Sequence, residues 1–164
     1  MAITFIRVDD RIIHGQITTR WSQEYPCDAI VAVNDMAATN PVLKAAFLSS
    51  INKPLYIWTY AEWKEKCDKV LQSQKNYFLI TKDPKLMAQI LVDDKFDPGL
   101  REVCVGPAND RPGAVKLGNN QSLMQDEAEA FEKIHQGGYK ILFALVREDA
   151  IGYWPKFRGL FGYK

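Results

Sequence analysis

The sequence predicts an α/β fold: a single domain, residues 1–164, built on an open, mostly parallel β-sheet with helices on both faces. Three observations predict it. Apolar, β-rich runs alternate with helix-patterned segments along the whole chain, the order that builds parallel sheets through helical crossovers. Runs such as AIVAV are almost unbroken apolar stretches, as in strands buried on both faces. A length of 164 residues suits one domain and is enough chain for a full core.

The elements follow in order. Ile3–Val8 reads as the first strand, and a helix is expected to begin at Gly15 and run over 15–22. Ala29–Val33 is the second strand. Pro41–Ser50 is a helix with proline in its first turn. Leu55–Trp58 is a strand, followed by a helix over 61–71 that carries Trp63, Cys67 and Val70 at helical spacing. Tyr77–Thr81 is a strand. Asp83 as N-cap and Pro84 at the first helical position open a helix that runs to about Val92. Strands are expected over 101–105 and, shorter, over 115–117. A helix over 125–135 is stopped by Gly137 and Gly138. The last long strand is expected over 141–146, ahead of an aromatic, basic tail.

Composition excludes several classes. Lys+Arg total 21 against 20 Asp+Glu, a net charge of +1, which argues against a nucleic-acid binder. The three cysteines, Cys27, Cys67 and Cys104, are odd in number and form no C-x-x-C, so neither a disulfide framework nor a zinc site is expected. His14 and His135 are the only histidines, and nothing in the sequence brings them together as metal ligands. The start MAITFIRVDD runs straight into charge, so no secretory leader is expected. No apolar run approaches the ~20 residues of a membrane span.

One stretch stands apart: RVDDRIIHGQI, residues 7–17. In open parallel sheets the functional crevice lies beyond the carboxyl ends of the strands, and the loop after the first strand begins at Asp9. A neutral imidazole is a nucleophile at physiological pH. Gly15 lets backbone approach a ligand, and a helix starting there would turn its N–H groups toward an anion, phosphate above all. Arg11, three residues before His14, suits bidentate contact with phosphate oxygens. Together they fit a phosphoryl group carried on His14, since in-line transfer needs positioning and charge stabilisation. Asp9 and Asp10 would repel phosphate. They fit as groups orienting Arg11, or His14 through a ring N–H, with loop solvation or helix capping as the plain alternative. His135, in the last turn of a helix, suits the helix dipole.

RVDDRIIHGQI, continuing TTRW, resembles the signature of the IIB components of the mannose/fructose/sorbose family of the bacterial phosphoenolpyruvate-dependent sugar phosphotransferase system. Ile12 and Ile17 are conservative departures from it. IVAVNDMAATNPVLKAAF, CVGPANDRPGAVKLGNNQSLMQDEAEAF and GGYKILFALV are similar to later family segments, so the resemblance covers essentially the whole chain. The departures lie at VGPAND and VRED. The resemblance implies an open parallel α/β sheet and a phosphocarrier. His14 would accept a phosphoryl group from a IIA phosphohistidine and pass it to a sugar held by membrane IIC/IID components. Arg11, Asp9, Asp10, Gly15 and Gln16 would form the phosphate-binding loop. It implies no metal or organic cofactor in this step, and a cytoplasmic place at the inner face of the membrane through the transporter. A homo-oligomer is compatible with it.

A carrier must release phosphate as readily as it takes it, so the loop is expected to be shallow. The acids beside Arg11 would moderate its grip, and Asp10→Asn is expected to alter transfer more than stability. Arg7 and Arg20 are read as ordinary surface charges. Asn34, Asp35, Gly106 and Pro107 are expected near the same crevice, or in turns. The tryptophans are read as core or interface. Two rivals remain, a non-catalytic interaction module and a receiver-like domain. The latter needs an aspartate at the end of the third strand, where the chain reads IWTYAE. The sugar stays open among N-acetylgalactosamine, loosely suggested by DRPGA, and mannose, fructose and sorbose types.

Overall fold

A computed structural model describes residues 2–15 and 17–164. Strands β1 (Ile3–Val8), β2 (Ala29–Val33), β3 (Leu55–Trp58), β4 (Tyr77–Thr81), β5 (Glu102–Val105), β8 (Lys140–Phe143) and β9 (Gly152–Tyr153) form one sheet in the order β3-β2-β4-β1-β5-β8-β9. All pairings are parallel except that of β9, which runs antiparallel to β8. The strands β6 (Val115–Gly118) and β7 (Gln121–Leu123) pair as a separate antiparallel hairpin. The chain leaves β1 toward β2 and β3, returns to β4, and then crosses to β5, so β1 sits where the strand order reverses.

The helices divide between the two faces. On one face lies α1, which winds as a π-helix over Ile17–Trp21 and runs on as an α-helix over Ser22–Glu24. It is joined there by α2 (Asp35–Thr39) and α3 (Pro41–Ser50). Ile12, Ile13, Ile17, Trp21 and Ala37 pack on Phe5, Ile30, Phe78, Ile80 and Leu142. The other face carries α4 (Tyr60–Gln72), α5 (Pro84–Ala88, continued as a π-helix over Gln89–Asp93) and α6 (Gln125–Gln136). Their residues Trp63, Met87, Ile90, Phe131 and Ile134 cover Ile6, Val31, Leu79, Val103 and Ile141. Each fully buried aliphatic or aromatic side chain contributes ~1.5–3 kcal/mol, so the two layers jointly fix the sheet.

Local signals explain the boundaries. The Asn34 side chain accepts from Ala37 N, and Asn40 accepts from Leu43 N. Thr59 and Glu62 form a reciprocal capping box that starts α4. The tail folds back as short 3₁₀ turns over Trp154–Lys156 and Arg158–Phe161. It is held where Trp154 Nε1 and Arg158 Nε both donate to Glu132 Oε1 at 2.9 Å.

Three details depart from the sequence reading. The helix expected over 15–22 is π-wound at its start; over five residues the two windings leave the same apolar spacing. The short α2, β7 and β9 were not anticipated, being only five, three and two residues long. The strand expected over 141–146 ends at Phe143. The carbonyls of Ala144 and Leu145 turn out of the ladder to accept from Arg7, and Leu145 O also accepts from Trp21 Nε1.

Candidate active site

The loop after β1 is built by alternation along the strand. Arg7 and Asp9 point to one side of the sheet and Val8 and Asp10 to the other, because successive strand residues alternate. The strand extends one step past Val8, with Asp9 N donating to Thr81 O at 2.9 Å. The chain then turns tightly: Ile12 N donates to Asp9 O at 2.9 Å, and Ile12 sits at φ 61°. A β-branched residue in that left-handed region is strained. The strain is offset by burial, since Ile12 and Ile13 are 3% and 4% exposed in the apolar layer beneath α1. Two buried isoleucines thus pin the middle of the loop, with Arg11 exposed on one side and His14 partly buried on the other.

His14 lies between two charged partners. Its Nε2 is 2.6 Å from Asp9 Oδ2 and its Nδ1 is 3.1 Å from an Arg11 Nη. A guanidinium can only donate and a carboxylate can only accept. These partners fit the neutral tautomer in which Nε2 carries the proton and donates to Asp9, and Nδ1 accepts from Arg11. Asp9 is itself fully buried. Its Oδ2 also accepts from Arg7 Nε at 3.0 Å and its Oδ1 from Arg11 N at 2.9 Å. Burial alone would raise its carboxyl pKa; the His14 hydrogen bond and the Arg7 charge outweigh that and hold it below the usual value.

Asp10 does not join this chain. Its Oδ2 accepts from Asn109 N at 2.9 Å and its backbone N donates to Pro107 O at 3.1 Å. Oδ1 is buried without a hydrogen-bond partner among the described residues. Burial, with the Asp9 charge adding to it, raises the Asp10 carboxyl pKa against the Asn109 bond. The side chain borders an open cleft of about 600 Å³ on the α5/α6 side of the sheet, together with Asn34, Lys82, Arg111 and Glu127. Asp10 is thus not placed to orient His14, and it acts on Arg11 only through space.

The remaining sequence candidates fall as follows. Gly15 is exposed at the start of α1, with nothing within 4 Å of where a Cβ would lie. Gln16 lies outside the described residues. Asn34 caps α2 and lines the cleft; Pro107 lines it too. His135 sits in the last turn of α6. No group of three or more metal-binding side chains exists among the described residues, and none of their helices is long and apolar enough to cross a membrane.

Arg7 overturns its reading as a surface charge: it is 0% exposed. Arg20, by contrast, is at the surface, paired with Glu148. The sequence carried a signal for Arg7 that the surface reading passed over. A lone charge inside the apolar run ITFIRV, two residues before an aspartate, shares a face with that aspartate.

Comparison with known proteins agrees with this architecture. Residues 3–163 match the family described as PTS system sorbose subfamily IIB component. The sorbose-specific EIIB component of Lacticaseibacillus casei is 28% identical over 158 residues, covering 91% of this chain and 90% of that one. The mannose-specific EIIAB component of Escherichia coli K12 is 26% identical over 154 residues, covering 91% of this chain but 46% of that longer one. In fold, the chain is similar to the IIB domain of the sorbose permease from Klebsiella pneumoniae, with a TM-score of 0.72, 23% identity and 91% of each chain covered.

Proposed function

The chain belongs to the sorbose subfamily of IIB components of the sugar phosphotransferase system, and from that premise we propose that His14 carries the phosphoryl group on Nδ1. The observation that carries this is the pair of contacts on the imidazole. Asp9 takes the Nε2 proton, and Nδ1 faces Arg11 with its lone pair.

The steps follow from that arrangement. A IIA phosphohistidine presents its phosphorus to Nδ1, and Arg11 moves from the lone pair to the phosphoryl oxygens, where its planar fork can bind two of them. The Nδ1–P bond forms as the donor's N–P bond breaks, and the electron pair of that bond returns to the donor imidazole. No proton has to leave Nδ1, because none is there. The positive charge that develops on the His14 ring is met by Asp9 through Nε2–H, as a buried carboxylate stabilises an imidazolium. In the second step a sugar hydroxyl held by membrane IIC/IID components attacks the phosphorus. The Nδ1–P bond breaks, its pair returns to Nδ1, and the hydroxyl proton departs to a base outside this chain. Arg11 is exposed, so its hold on the phosphate is screened by water and the group stays transferable. The cytoplasmic inner face of the membrane is where such a carrier would meet both partners.

The test is phosphorylation of the purified protein by phosphoenolpyruvate, the general phosphotransferase proteins and a IIA donor. An acid-labile, base-stable phosphate on wild type and none on folded His14→Ala is the expected result. Labelling that survives the substitution moves the site elsewhere. Folded wild-type protein that accepts no phosphate from any IIA donor favours the non-catalytic module instead.

A further inference from the structure

We infer that Arg7 is a positioning residue for the phosphoacceptor: from inside the protein it fixes the Asp9 carboxylate in the orientation that selects the His14 tautomer. This rests on the reading of His14 given above, and its test includes a measurement that needs no phosphoryl transfer.

The Arg7 guanidinium occupies a socket made for it. Nη1 donates to Ala144 O and to Cys104 Sγ, each at 3.1 Å, and Nη2 donates to Leu145 O at 3.1 Å. Its Cζ lies 5.2 Å from the centre of the Trp21 ring. At Gly106 a Cβ would stand 2.3 Å from Nη2 and 2.7 Å from Cζ, so only glycine leaves the socket open. With both terminal nitrogens engaged on β5 and on the chain just past β8, the remaining donor, Nε, is aimed at Asp9.

That donor goes to Asp9 Oδ2, the same oxygen that takes Nε2–H of His14. That oxygen is held at 3.0 Å on one side and 2.6 Å on the other, and Arg11 N fixes Oδ1. Without the Arg7 charge, burial favours the neutral acid. A protonated Asp9 could offer its own proton to the ring, and the imidazole would no longer be confined to the Nε2–H form. The Nδ1 lone pair that meets the phosphorus would then be present only part of the time. The Asp9 carboxylate, bonded to Arg7 on one side and His14 on the other, is the link between them.

The experiment reads the tautomer of His14 by ¹⁵N NMR on protein with labelled histidine, His135 serving as the internal control, together with the rate of phosphoryl acceptance from a IIA donor. Wild type should show a single Nε2–H form at His14. Arg7→Met should show mixed tautomers and a rate lower by ~10–100-fold, the usual loss when a group that orients a site ligand is removed. Gly106→Ala, which pushes the guanidinium out while keeping its charge, should move both readouts the same way. Because Arg7→Met leaves a buried carboxylate alone and is liable to unfold, Arg7→Met is also made in the Asp9→Asn background, where both charges go together. There it should change the rate by less than about two-fold, the range of uncoupled neighbours. A folded Arg7→Met with the wild-type tautomer and a rate within about two-fold of wild type overturns the inference. So does an Arg7→Met loss that is as large with Asp9→Asn as without it. Wild-type protein that accepts no phosphate defeats the carrier reading, and the tautomer comparison still decides the role of Arg7.

Discussion

Asp9 and Asp10 are neighbours with the same side chain, yet strand alternation sends them to opposite sides of the sheet and gives them opposite physics. Asp9 is fully buried, accepts from Arg7, Arg11 and His14, and has its pKa lowered. Asp10 borders the open cleft, has one backbone donor and one unpartnered oxygen, and has its pKa raised. The contrast is one of satisfaction: donors surround the Asp9 carboxylate and hold it ionised, and they leave half of the Asp10 carboxylate unmet. A half-satisfied carboxylate is a cost to the fold.

The difference can be sharpened by mutation on the His14 side first. Arg11→Gln removes the charged guanidinium facing Nδ1 and its bidentate fork, and phosphoryl acceptance should fall by ~10²–10³-fold, as when a transition-state donor is lost. Its stability should stay within about 0.5 kcal/mol of wild type, because the side chain is exposed. Thermal unfolding and a single-turnover labelling rate check both halves.

Asp9→Asn should cost ~10–100-fold in the same rate. It should also cost ~3–5 kcal/mol of stability, since it strands a buried arginine. The stability loss should shrink at low pH. A carboxylate with a lowered folded pKa stabilises above its unfolded value, about 3.9, and that contribution is lost as pH falls through the folded value. Denaturant unfolding between acid and neutral pH reads this directly.

Asp10→Asn should show the smallest effect, contrary to its expected weight beside Arg11. Acceptance should change by less than about three-fold, and stability should be equal to or greater than wild type. The pH sign is reversed. A raised folded pKa means a penalty that is absent below the unfolded value and grows as pH rises through it to the folded value. The advantage of Asp10→Asn should therefore appear only on the neutral side. A drop in transfer as large as that of Asp9→Asn would erase the distinction between the two acids.

Much of this was legible in the chain itself. The apolar runs at 29–33 and 77–81, the Asp83–Pro84 helix start and the Gly137–Gly138 stop all mark elements that the structure contains. Arg11 and His14 stood out because they cluster with Gly15 just past the first strand, within a family-like signature; the burial of Ile12 and Ile13 between them is a finding of the structure. The division of labour between Asp9 and Asp10 follows from alternation, but it needs the end of β1 to be known to one residue. For the burial of Arg7 the sequence held only a hint, a lone charge inside an apolar run, and not the socket that accounts for it. Two of its acceptors are carbonyls 137 and 138 residues away, and the socket depends on a missing Cβ at Gly106, which reads in sequence as an ordinary turn. The early end of β8 has the same source, because its following carbonyls serve Arg7 and Trp21.

The central claim is that Asp9 and Arg11 together leave the nucleophile of His14 at Nδ1. The most direct measurement is ³¹P–¹⁵N NMR of the phosphorylated protein with labelled histidine. One-bond coupling of phosphorus to Nδ1 of His14 is the predicted result. Coupling to Nε2, or to either nitrogen of His135, would contradict it.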